Sequence, residues 1–355
     1  MRRGKLLGMA AAGMGATAAA LTAGVVANRR GTRPQHPGDP GVDELGSLHS
    51  TPLGVEAEDG VVLHAEIDEV APYAGRSRSD DTNPTLVFVH GFALNLDCWH
   101  FQRQYFRGKR RLVFYDLRSH GRSDRSAKEN ATIEQLGTDL RTVLDQLAPQ
   151  GPVVLVGHSM GGMAIIALAE QHPELFGYRV VGAALIATTA GGLRPHRLLS
   201  RLIPDRVGGT IGPRLVAGLA RAPLLVETAR RGSRLSRAVT DTFAFGGDVP
   251  ASYVRFVDTM LAGTPFEVLA EFFPNFDSMD KFSVLHAFEK VPTYIVCGTD
   301  DLLTSVGHSR KMAAQLPGAR LVECRGAGHM VILEQADKVN DAVWDLLTEA
   351  ESGRG

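Results

Sequence analysis

Six short apolar runs recur along the chain: Thr85–His90, Arg111–Asp116, Val153–Gly157, Val180–Ala187, Thr293–Gly298 and Ala319–Cys324. A continuous apolar run of this length is what a strand of a parallel sheet needs, because both of its faces are covered. Between the runs the spacing changes to a helical one. In Thr132–Leu147 the residues Ile133, Leu136, Leu140, Val143, Leu144 and Leu147 share one face, and Thr132 stands where an N-cap belongs. Met160–Gln171 and Val331–Leu347 are patterned alike. Upstream, Val55–Glu69 holds Asp59-Gly60 between two alternating stretches, a hairpin signal. Strands alternating with helices predict an α/β fold, a mostly parallel central sheet with helices on both faces.

The alternation stops between residues 190 and 290, where the pattern is helical throughout. An insertion there predicts a cap over the C-terminal strand ends, where such sheets bind ligands. From Ala190 to Thr240 it carries ten Arg, no Lys, and only Asp205 and Glu227 as acids. Leu198, Leu199, Leu202, Ile203, Leu215, Leu219, Leu224 and Leu225 interleave with these arginines. That mixture reads as a solvated helical surface, as a basic face for anionic lipid or substrate, or as an apolar acyl pocket under a charged roof.

At the other end of the chain, Arg2, Arg3 and Lys5 precede an uncharged run, Leu6–Ala27, with Arg29, Arg30 and Arg33 after it. The run is long enough to cross a bilayer but is weakly apolar, being rich in Ala and Gly. It reads equally as a signal peptide cut after Ala27 or as an uncleaved anchor, so an exported or membrane-associated protein is expected, with a cytoplasmic one as the alternative. The expected organisation is a targeting segment at 1–28, a Pro- and Gly-rich linker at 29–54, a core at 55–189 and 291–355, and the cap at 190–290.

Overall charge changes little. A net charge of −1 gives no general reason to expect nucleic acid. No metal-ligand spacing and no Gly-rich phosphate loop appears, so neither metal nor cofactor is expected. Three cysteines, Cys98, Cys297 and Cys324, are an odd number and read as buried thiols.

The chemistry concentrates at strand ends. Gly157-His158-Ser159-Met160-Gly161 joins the Val153 run to a helix. A serine on so sharp a turn needs small neighbours for its hydroxyl to stand clear, and the helix behind it points amides at developing negative charge. A serine hydroxyl also needs a base, and His329 in Gly326-Ala327-Gly328-His329-Met330 follows the last strand. The base needs an acid. No carboxylate lies in Thr188–Leu193, which leaves Asp300 and Asp301 in the turn after Thr293–Gly298.

These motifs, in this order, resemble the α/β-hydrolase superfamily, in its serine-nucleophile branch of esterases and monoacylglycerol lipases, from about residue 55 to 349. His90-Gly91-Phe92 is similar to the family's oxyanion loop, Asp116–Ser123 to its next turn, Gly157–Gly162 to its nucleophile elbow, and Gly326–Glu334 to its histidine loop. The resemblance selects Asp301 over Asp300 as the acid. It implies backbone N–H donors at Phe92 and Met160 for the oxyanion, a bracing role for His90, structural roles for Asp116 and Arg118, and motif glycines at Gly91, Gly157 and Gly161. The expected activity is hydrolysis of a small-molecule carboxylic ester, aliphatic or lipid-like, without cofactor. Carbon–carbon, thioester or amide hydrolysis and perhydrolysis use the same triad, and a ligand-binding protein on this scaffold is the alternative of another class.

Overall fold

The computed structural model of the chain describes residues 39–41, 44–70, 83–193 and 234–353. The apolar run at 6–27, and the Arg- and Leu-rich part of the expected cap between 194 and 233, lie outside the described residues. Among the described residues no helix is long and apolar enough to cross a membrane.

Eight strands form one sheet: β1 (Pro52–Glu56), β2 (Val62–Asp68), β3 (Thr85–Val89), β4 (Leu112–Tyr115), β5 (Val153–His158), β6 (Val180–Ile186), β7 (Thr293–Gly298) and β8 (Arg320–Cys324), in the order β1-β2-β4-β3-β5-β6-β7-β8. The hairpin β1–β2 turns at Gly60, whose φ of +80° a side chain would strain, and pairs antiparallel with β4. All later pairings are parallel. Chain order moves outward from β3 to β4, then crosses back to β5 and onward to β8. The connections therefore part between β3 and β5, the kind of place where such sheets open a crevice beyond their C-terminal ends.

Strand alternation splits the core into two layers. Val87, Val89, Val113, Tyr115, Leu155 and Leu185 face α2 (Ile133–Leu147) and α3 (Met160–Gln171). Leu86, Phe88, Phe114, Val156 and Ile186 face Trp99, α1 (His100–Phe106) and the C-terminal helix. Thr132 caps α2 by accepting the Gln135 N–H at 3.1 Å, as its position in the pattern predicts.

The insertion leaves and rejoins the core at one neck, where Gly191 bridges Asp280 and the Lys281 N–H donates to the Ala190 carbonyl at 2.7 Å. Its described part is helical: α4 (Arg234–Ala244), α5 (Ala251–Gly263) and α6 (Phe266–Ser278). The helices are tied to the core by Thr264 on the Ala93 carbonyl, Asn275 on the Ala131 carbonyl, and the Arg125–Glu271 ion pair.

Three expectations need correction. The 29–54 stretch is not a tether to its end, because Leu45 is buried, the Ser50 N–H donates to Glu66 at 2.8 Å, and β1 begins at Pro52. The Ala319–Cys324 run is an edge strand rather than a buried one, with Arg320 and Glu323 exposed. The helix expected over Val331–Leu347 is two, α7 (Val331–Glu334) and α8 (Ala336–Ser352), divided at Gln335 with φ −133° and ψ 54°. The apolar spacing runs through that break because both pieces pack on the same layer.

Candidate active site

Ser159 follows β5 directly and occupies the N-cap position of α3 with φ +53° and ψ −118°, a conformation that costs a non-glycine residue about 1–3 kcal/mol. The surroundings hold it there. Its N–H donates to the Ile186 carbonyl at 2.9 Å, and its own carbonyl accepts the Thr188 hydroxyl at 2.7 Å and the Gly162 N–H at 3.0 Å. The elbow packs without side chains at its corners. A Cβ on Gly161 would stand 2.1 Å from the Val89 carbonyl oxygen, which explains the second glycine of the motif by close approach to β3.

His329 lies in the loop after β8 and Asp301 in the turn after β7, both largely buried. The imidazole Nδ1–H donates to Asp301 Oδ2 at 2.9 Å, which leaves Nε2 free to take a proton. Asp301 is itself fixed from several sides. Oδ1 accepts the N–H groups of Leu303 (2.7 Å) and Thr304 (2.9 Å), and the Thr304 hydroxyl lies 2.8 Å from Oδ2. Burial alone would raise this carboxyl; the neighbouring His329 and the bonds from His329 and Thr304 outweigh it and hold the pKa below its ordinary value. Asp300 faces elsewhere, with its N–H on the Ala327 carbonyl and its carboxylate accepting the Thr299 hydroxyl.

His158 joins the elbow to the histidine loop. Its Nε2 donates to the His329 carbonyl at 2.9 Å, and the two rings lie 4.9 Å apart. Its burial, together with the nearby His329, drives its pKa down to about 3, so the ring stays neutral and serves as a brace. Gly91 packs against the elbow: a Cβ there would stand 2.8 Å from His158 Nδ1 and 3.0 Å from Ser159 Cβ. Phe92 and Met160 directly follow these touching residues, and the first-turn amide of Met160 has no carbonyl four residues back to bond within the helix.

His90 braces the same loop. It donates from Nδ1 to the Gly91 carbonyl at 2.8 Å and accepts the Leu117 N–H on Nε2 at 2.9 Å. Burial, with His120 nearby, lowers its pKa to about 3, consistent with one bond given and one received. Asp116 accepts the amides of Leu96 (2.7 Å) and Arg122 (2.8 Å), while Arg118 binds Asp139 and Asp59 and so ties α2 to the hairpin turn. Cys98, Cys297 and Cys324 are free and buried.

Sequence reasoning passed over three residues here. Thr304 and Thr188 carry no pattern of their own. Glu334 lies inside the quoted histidine motif, and its signal is an acid directly after the apolar triplet Val331-Ile332-Leu333. Its Oε1 accepts the Gly328 N–H at 2.7 Å and its Oε2 the Gly246 N–H at 2.9 Å.

Comparison with known proteins agrees with this architecture. The model of the alpha/beta hydrolase family matches residues 86–342. An uncharacterised protein of Mycobacterium tuberculosis is 23% identical over 287 residues, covering 79% of this chain and 80% of that one. Among solved structures, an enol-lactonase from Burkholderia xenovorans is 27% identical with a TM-score of 0.60, covering 84% of this chain and 100% of its own. A thermophilic esterase from Thermogutta terrifontis is 22% identical with a TM-score of 0.63, covering 85% and 99%. With its eight-stranded, mostly parallel sheet and the family match across most of its length, the chain belongs to the alpha/beta hydrolase family and is a hydrolase.

Proposed function

We propose that the protein hydrolyses carboxylic esters through a Ser159–His329–Asp301 triad and an acyl-enzyme. Two observations support this reading: the 2.9 Å bond from His329 Nδ1 to the buried Asp301, and a serine held at positive φ on a strand-to-helix turn. In the forward half-reaction Ser159 Oγ attacks the ester carbonyl while His329 Nε2 takes its proton. The backbone N–H groups of Phe92 and Met160 receive the oxyanion, each such donor being worth about 3 kcal/mol in the transition state. His329 then hands the proton to the departing alkoxide, and the alcohol leaves. Water, deprotonated by the same nitrogen, attacks the acyl-serine and releases the acid. Asp301 stays ionised and stabilises the imidazolium formed in both halves.

An apolar acyl or alkoxy group suits the aromatic rings clustered around Phe92, the proposed oxyanion donor. The Phe92 ring lies 5.1 Å from Phe276 of α6 and 6.0 Å from His120, which in turn meets Phe272 at 5.5 Å. A lactone is an ester closed into a ring, and the similarity to an enol-lactonase makes lactones the second substrate class to try.

The test is hydrolysis of p-nitrophenyl esters of increasing chain length, and of simple lactones, by the full chain beside Ser159→Ala. Turnover by the wild type and a fall of about three to six orders of magnitude in the variant are expected. Equal inertness of both proteins on every ester and lactone would remove this reading.

A further inference from the structure

The histidine loop is held by more than its acid. On one side the His329 carbonyl accepts from His158, and on the other the Met330 N–H donates to the Ala244 carbonyl at 2.7 Å. Ala244 is the last residue of the cap helix α4. The two segments touch backbone to backbone: a Cβ on Gly246 would stand 2.4 Å from the Ala327 carbonyl carbon, and one on Gly328 would stand 2.3 Å from Gly246 N. Glu334 closes the contact. One carboxylate oxygen takes the Gly328 N–H, one residue before His329, and the other takes the Gly246 N–H, two residues beyond α4.

We propose that Glu334 is a positioning residue that makes the placement of His329 depend on the seating of the cap. This rests on the reading of His329 as the base. A carboxylate is the right bridge because it accepts from both sides at once, whereas an amide at this position turns its NH2 toward one of the two N–H groups. Burial pushes the Glu334 pKa up to about 7, against the opposing effect of the Gly246, Gly328 and Gly247 amides and with a further rise from Asp301. A carboxylate kept in so unfavourable a place fits a specific task better than general packing. With the bridge intact, a substrate that settles α4 and its root under the cap also settles Gly328 and the imidazole after it. Without it, Asp301 and His158 still hold His329, and its reach toward Ser159 loosens.

The experiment compares the full-length wild type with Glu334→Gln and Glu334→Ala. Active sites are counted by stoichiometric labelling with a fluorophosphonate, and kcat and KM for a p-nitrophenyl ester are expressed per labelled site. Amide hydrogen exchange is read in peptides covering 244–248 and 326–330. The expected result is a kcat per site lower by about 10- to 100-fold in Glu334→Ala, the size of effect that misplacing a reacting group produces. The fall is smaller in Glu334→Gln, KM shifts less than about twofold, and exchange quickens in both peptides together. A purely structural role would lower the number of labelled sites and leave kcat per site alone, and that outcome overturns the proposal. Exchange quickening in only one peptide also overturns it. A wild type that neither turns over nor labels contradicts the esterase reading instead, and the paired exchange still decides whether Glu334 couples cap and loop.

Discussion

Ser159 combines two demands that oppose each other. The proposed nucleophile must stand clear of the backbone, and the turn that achieves this puts a residue with a Cβ at φ +53°. Glycine would occupy that conformation without penalty, so the strain is carried for the hydroxyl. Ser159→Gly is therefore expected to raise folding stability by about 1 kcal/mol while abolishing ester hydrolysis. Urea unfolding followed by circular dichroism checks the first half, and a variant no more stable than wild type would show that the turn is unstrained. The same logic of opposed demands applies at Asp301, where burial and hydrogen bonding pull the carboxyl in opposite directions and the bonds prevail.

Secondary-structure elements place these residues, and most of them were legible in the sequence. The runs at Thr85, Val153 and Thr293 announced strands because each is buried on both faces, and burial leaves a continuous apolar record. The turns after them announced chemistry because glycine and a polar residue at a strand end have few other uses. Less legible were features whose cause is tertiary. The break at Gln335 leaves no trace in apolar spacing, because the pieces on either side of it pack on the same layer. Choosing between Asp300 and Asp301 needed the family resemblance, because both follow the same strand. Arg118 shows the elements locked together: its guanidinium donates to Asp139 of α2 at 2.6 Å from both Nε and Nη2, and reaches Asp59 of the hairpin turn at 2.8 Å. Arg118→Met leaves Asp139 buried without a counter-charge, with only the Gln135 amide at 3.2 Å to bond it, and a loss of about 3–5 kcal/mol is expected by thermal or urea unfolding. Adding Asp139→Leu to that variant should recover much of the loss. If the double variant is no better than the single, the pair is not what ties α2 to the hairpin.

At the scale of the whole molecule, the site is enclosed by neutral histidines, and this sets how the fold responds to acid. Burial lowers the pKa of His90 and His158 to about 3 and that of His120 to about 4, while the unfolded chain would titrate near 6.5. Below pH 6.5 the unfolded state takes up these protons and the folded state does not, so stability falls as pH drops from about 6.5 toward 4. Glu334, raised to about 7, and Asp116, raised to about 6 by burial, act in the opposite sense, since the folded form holds their protons more tightly. The net slope is the difference between the two groups. His120→Asn removes one member of the first, so its stability relative to wild type should improve by roughly 1 kcal/mol per pH unit as pH falls from 6.5 to 4.5. Urea unfolding at three pH values measures it, and parallel curves for the two proteins would show that His120 is not held neutral by the fold. The function proposed for this architecture depends on one covalent event. The most direct measurement is mass spectrometry of the wild-type protein quenched in acid during turnover of a p-nitrophenyl ester. An adduct of one acyl group on the peptide bearing Ser159, absent from Ser159→Ala, is the result expected. Turnover with no adduct in wild type or in a His329→Gln variant, or an adduct on any other residue, would contradict it.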